Sequence, residues 1–118
     1  MQAMNEPGIR FFRMLGLAMR AGKVTRGTPL TLDAVRHGKA RLVILSEGAS
    51  QESKKQVTSK CAFYGVPLAV VCVSPDKLAH TVGKESPLVA LAVTDERFAT
   101  EIFQSSGKDT SEQSEDGM

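Results

Sequence analysis

Leu42-Val43-Ile44-Leu45, a polar stretch from about Ser50 to Tyr64, and Leu68-Ala69-Val70-Val71-Cys72-Val73 together form the segment that decides the fold. Short, uninterrupted apolar runs read as strands covered on both faces, because a strand with one wet face alternates polar and apolar residues. The stretch between them is long enough for a helix, with Val57, Cys61 and Tyr64 at the spacing of one inward stripe and Gly65 and Pro67 as its stop. Strand, helix and strand in that order make a sheet that carries helices.

Working outward, Ser74-Pro75 pairs a cap with a proline, which suits a helix start because its missing N–H is not needed there. A short helix carrying Leu78 and Val82 is predicted, closed by Gly83 and followed by a third apolar run, Leu88 to Val93. From about Asp95, Phe98, Ala99, Ile102 and Phe103 fall on one stripe of a last helix. Upstream, residues 9 to 21 read as a helix with Phe11, Leu15 and Ala18 inward and Gly22 at its end. After an extended piece around Val24, Thr28 is predicted to cap a second helix with Pro29 at its first position and Gly38 as its stop. The expected architecture is α/β, a three-layer α/β/α sandwich around a central mixed sheet of about four strands.

The 118 residues suit one domain, expected over 1–104, with 105–118 as a disordered acidic tail. Apolar residues make up 42% of the chain while aromatic residues make up 5%, so the core must be aliphatic. Arg10, Arg13 and Arg20 interrupt any amino-terminal window long enough to span a bilayer, and with Cys61 and Cys72 alone the thiols are expected reduced. A cytoplasmic protein without a membrane partner is the expectation.

The net charge of +2 conceals an asymmetry. Between residues 10 and 41, Arg10, Arg13, Arg20, Lys23, Arg26, Arg36, Lys39 and Arg41 stand against Asp33 alone, eight cations against one anion. One-sign clustering of this kind is the electrostatic footprint of a phosphate-binding surface. With no Trp, Tyr64 read as core and the Phe residues on buried stripes, an aromatic platform for stacking bases is not expected, and structured RNA fits better than a single strand.

Enzymatic motifs fail on inspection. Five residues separate Gly16 from Gly22 where a phosphate loop needs four, and Val24 replaces the hydroxyl that would meet magnesium. No dinucleotide fingerprint exists, and two lone cysteines with His37 and His80 lack zinc-ligand spacing. Cys61 with His80 is the pair to consider for covalent catalysis, but Cys61 falls on the buried stripe of its helix. No catalytic residue, metal or cofactor is expected.

Several strings then carry a resemblance: Leu15 to Val24, Gly27-Thr28, Ala34 to Ala40, Leu42 to Leu45, Lys60 to Pro67, Leu78 to Gly83, and Ala90 to Thr94. Over roughly residues 9 to 104 they resemble the L-seven-Ae/L-thirty-e ribosomal-protein superfamily. Ala18-Met19-Arg20-Ala21-Gly22-Lys23 and the T-D-x-x-F-A pattern at Thr94 to Ala99 resemble its bacterial YlxQ-like branch. The resemblance implies the same α/β/α fold and a non-catalytic RNA-binding protein associated with the ribosome or RNA processing. It also implies a surface at the start of the second helix and the loop before the last strand, which in the family grips a kink-turn.

Carried over residue by residue, Gly27 matches the family glycine. The Asn-Glu pair that reads sheared G·A pairs is replaced by Pro29 and Leu30, the following Lys by Asp33, and an apolar loop residue by Lys84. The expected site is Lys23, Arg26, Gly27, Thr28, Pro29, Leu30, Asp33, Arg36, His37, Lys39, Arg41 and Lys84, touching RNA backbone more than base edges. Structured RNA, ribosomal or other non-coding, is the expected partner, with ribosomal or RNA-processing proteins beside it. A protein-interaction scaffold without RNA specificity is the competing reading.

Overall fold

The computed structural model describes residues 6–107. The elements follow the order α1 (Ile9–Arg20), β1 (Val24–Arg26), α2 (Thr28–Arg36), β2 (Leu42–Ser46), α3 (Gln51–Tyr64), β3 (Leu68–Val71), α4 (Pro75–Thr81), β4 (Ala90–Val93) and α5 (Glu96–Ser105). Four strands form one mixed sheet in the order β1-β4-β2-β3, parallel between β2 and β3 and antiparallel elsewhere.

The period of two along the strands sorts the core into two layers. Leu42 and Ile44 of β2 and Leu91 and Val93 of β4 face Phe11, Leu15 and Ala18 of α1, with Leu78 of α4 and Ile102 of α5. Val43, Leu45, Ala90 and Ala92 face the other way, against Ala34 and Val35 of α2 and Val57 and Cys61 of α3. The central strands β2 and β4 are buried on both faces, hence their unbroken apolar runs. The edge strand β3, expected to be covered on both faces, buries one face fully and the other by half, and β1 is half-buried throughout. Small side chains at Ala90 and Ala92 leave room for α2 above β4. The three-layer sandwich read from the sequence is the observed one.

Details differ. The inward stripe of α5 is Ala99 and Ile102, while Phe98 is half-buried and Phe103 exposed. On α3, Val57 and Cys61 are buried but Tyr64 is 42% exposed. Tyr64 occupies the last turn before Gly65, and stripe membership does not guarantee that the opposing layer extends that far. The helix α5 continues to Ser105, and Ser105 and Ser106 are buried, with their hydroxyls donating to backbone carbonyls of α5. Of the acidic tail expected over 105–118, Ser105 and Ser106 belong to the packed end of α5, and residues 108–118 lie outside the described residues. Among the described residues no helix is long and apolar enough to cross a membrane.

Strand register gives the sheet two distinct ends. Val93 stands beside Val24 and Leu42 at one end, while at the other Leu91 stands beside Arg26 and Ala90 beside Leu45. Both α2 and α3 leave the Ala90 end and return at the Val93 end, so the two helices run side by side in the same direction.

Candidate functional site

Ser50, Ser74 and Asp95 cap α3, α4 and α5 by accepting from the backbone N–H three residues on. No side chain caps α2. Its cap is Gly27, not Thr28 as expected, and Thr28 and Pro29 are the first two helical residues. The reason lies in the junction with β1. Gly27 takes φ 100° and ψ 150°, a conformation essentially reserved for glycine. There it donates its N–H to Ala90 O at 2.9 Å and accepts from Thr31 N–H at 2.9 Å. A threonine at that turn would be strained.

With Gly27 N–H used and Pro29 lacking one, Thr28 and Leu30 supply the backbone donors at the mouth of α2. No acidic residue sits in this first turn, and the aligned peptide dipoles leave partial positive charge there. The side chains of Pro29 and Leu30 are exposed. Directly behind, the Thr31 hydroxyl is buried without a hydrogen-bond partner.

The second wall is the loop from Gly83 to Val89 between α4 and β4, held against β1 by one side chain. Arg26 Nη1 donates to Val82 O at 3.1 Å and lies 3.5 Å from Gly83 O. Lys84 follows, half-exposed, its N–H bonded to Ala79 O at 2.9 Å. Arg26 therefore acts as a strut between the mouth of α2 and the loop that carries Lys84, a role the sequence reading did not give it.

The remaining candidates lie elsewhere. Lys23 and Arg41 sit at the Val93 end: Lys23 O accepts from Thr94 N–H at 2.9 Å, and Arg41 N–H donates to Val93 O at 2.8 Å. Arg36, His37 and Lys39 surround the carboxyl end of α2, about 13 Å from the mouth for a nine-residue helix. Some of their charge is already answered. Asp33 accepts from Arg36 at 3.1 Å, with His37 Nδ1 at 3.4 Å, while Arg41 donates to Gly38 O at 3.2 Å and approaches Glu96 at 3.9 Å. The structure thus gathers Arg26, Gly27, Thr28, Pro29, Leu30 and Lys84 at one end and leaves the candidate cations Lys23, Arg36, Lys39 and Arg41 toward the opposite one. Charge counting along the chain cannot see this division, because it depends on strand direction.

The structure corrects the placing of Tyr64 in the core and of every Phe on a buried stripe, and with it the expectation of no aromatic surface. Phe63 is 80% exposed and stacks edge-to-face on Tyr64, with ring centroids 4.9 Å apart. The signal was available: neighbours on a helix point about 100° apart, so two adjacent rings cannot both enter one narrow stripe.

The pair considered for covalent chemistry is divided by the sheet. Cys61 packs in the layer of α2 and α3, whereas His80 belongs to α4 on the other face. Burial pushes the Cys61 thiol from its ordinary 9.0 up to about 11, the wrong direction for a nucleophile. The folded state holds this proton more tightly than the unfolded chain does. Its stabilising effect is therefore complete below about pH 9 and is lost as pH rises through about 11. Alkylation under native conditions at neutral pH is expected to modify the exposed Cys72 and spare Cys61, with the second adduct appearing by mass spectrometry only after unfolding. Rapid double labelling of the folded protein would contradict the packing described. Among the described residues no three His, Cys, Asp or Glu side chains converge to hold a metal ion.

Comparison with known proteins places this geometry in a family. The chain is 43% identical to the RNA-binding protein YlxQ of Bacillus subtilis over 96 residues, covering 81% of this chain and 94% of the relative. A solved protein of unknown function from Bacillus halodurans superposes with a TM-score of 0.76 at 32% identity, covering 81% of this chain and 95% of the other. The 15.5kD RNA binding protein of Giardia lamblia shares the fold at a TM-score of 0.72 and 20% identity, over 86% of each chain. The profile of the ribosomal protein L7Ae/L30e/S12e/Gadd45 family matches residues 10–103, and the chain belongs to that family.

Proposed function

We propose that this protein binds structured RNA without catalysing a reaction, through the mouth of α2 and the loop from Gly83 to Val89, in the cytoplasm and in association with the ribosome or RNA processing. The observation that carries the reading is the Arg26 strut. It holds a basic loop residue, Lys84, beside an uncapped helix amino terminus whose glycine presents bare backbone. Backbone N–H groups and a lysine on neighbouring segments suit the phosphates of a folded RNA, contacts that position without reading sequence. The RNA-binding character of the YlxQ relatives supports the same conclusion.

The test is a titration of a short structured RNA at several salt concentrations. Binding is expected to weaken steeply with salt, and Lys84→Gln to reduce the slope of log K against log salt by about one unit. Arg41→Gln, at the opposite end of the sheet, is expected to change neither. Affinity that ignores both salt and Lys84 would overturn the reading.

A further inference from the structure

Beside the mouth described above, α2 and α3 enclose an open groove of about 700 Å³. Leu32 and Arg36 line it from α2, and Lys55, Lys60, Phe63 and Tyr64 from α3. Among the described residues that line it, Glu52 is the one acid against Lys55, Lys60 and Arg36, the last already paired with Asp33. A second, shallower depression shares Lys55 and adds Lys54, extending the positive face along α3. The groove ends at the Phe63–Tyr64 pair, whose edge-to-face packing leaves the outer faces of the rings to solvent.

We infer that this groove is a second nucleic-acid site, which takes unpaired nucleotides continuing from the structured RNA held at the mouth of α2. The inference builds on the RNA reading above and adds to it a distinct chemistry. Exposed rings offer stacking surfaces that every base can use, and cations beside them meet the intervening phosphates, the combination by which single strands are held without sequence preference. Lys55 and Lys60 line the groove from α3, and Arg36, shared with Asp33, faces them from α2, so the charge lies where a backbone following the groove would run. Direction is also right. Since α2 and α3 both start at the Ala90 end, a strand leaving the mouth reaches the rings by following the groove for about one helix length. The core needs neither ring: Val57 and Cys61 supply the buried stripe of α3.

The experiment uses the full chain and three RNAs: a stem alone, the same stem with a short oligoadenylate extension at either end, and the free oligoadenylate. An extension at one end is expected to tighten binding about tenfold, the scale of one stacked base. Phe63→Ala is expected to remove that gain while leaving both the affinity for the bare stem and the melting temperature unchanged. A fluorescent purine analogue in the extension is expected to be quenched by the unaltered protein and not by Phe63→Ala. An extension that brings no gain, or a gain that survives Phe63→Ala, overturns the inference and leaves the groove to a protein partner. Failure of the stem to bind, with the oligoadenylate still held through Phe63, would instead overturn the reading of the mouth and sustain that of the groove.

Discussion

Gly27→Ala is expected to lower the melting temperature by roughly 10 °C, a loss of about 2 kcal/mol, and to weaken RNA binding at least as far as the remaining folded population requires. Space is not the obstacle, because a Cβ at Gly27 would meet nothing nearer than Pro29 Cδ at 4.0 Å. The cost is conformational: at φ 100° a side chain is strained whatever the room around it. Relief would rotate the peptide, and with it the N–H bonded to Ala90 O and the carbonyl that accepts from Thr31, so the first turn of α2 would shift away from the loop carrying Lys84. Gly16→Ala is the internal control. Gly16 lies inside α1 without a positive φ, and its added Cβ would approach Thr81 O at an ordinary 3.9 Å. Helix propensity then favours alanine by about 0.5–1 kcal/mol, so thermal denaturation should shift the two variants in opposite directions. Equal melting temperatures would show that the turn at Gly27 is not strained by a side chain.

The legibility of this fold follows from how fully its strands are buried. Leu42 to Leu45 and Ala90 to Val93 are covered on both faces, and continuous apolar runs announce such strands from sequence. Gly22, Gly38, Gly65 and Gly83, read as helix stops, all adopt left-handed φ between 68° and 74°. The three-residue β1 was visible as no more than an extended piece around Val24, because its residues are half-buried and too few to show a period. Site residues were harder to group for a different reason. Lys23 and Arg26 are neighbours in sequence but lie at opposite ends of a strand, and whether Arg36 belongs with either depends on where α2 begins and ends. Periodicity identifies a buried stripe; it does not say how far the opposing layer extends, and Tyr64 and Phe103 stand beyond its reach.

A kink-turn RNA is expected to bind the unaltered protein little better than a duplex of equal length, since the positions to which the family resemblance would assign the reading of G·A pairs carry no suitable groups. Pro29 has no N–H to donate, Leu30 presents an apolar side chain to solvent at 56% exposure, and Asp33 spends its carboxylate on Arg36. The triple variant Pro29→Asn, Leu30→Glu and Asp33→Lys should create the preference. Each well-placed polar contact to a base edge contributes about 1–3 kcal/mol of discrimination, so even two productive contacts correspond to roughly thirtyfold or more. The fold should tolerate the changes. Leu30 buries too little surface to be missed, and Asn at position 29 restores a backbone donor at the mouth. The surface pair of Asp33 with Arg36 is half-exposed on both sides, where such pairs contribute less than about 1 kcal/mol. Two effects oppose the gain: Glu at position 30 brings negative charge toward phosphate, and Lys at position 33 faces Arg36 one turn away. Both are screened by salt, whereas base-edge contacts within a closed interface are not, so the preference of the triple variant should persist as salt rises while its overall affinity falls. Titrating both proteins against the kink-turn and its straight control across salt concentrations reads this directly. A hundredfold preference in the unaltered protein would mean that residues outside Pro29, Leu30 and Asp33 carry the readout.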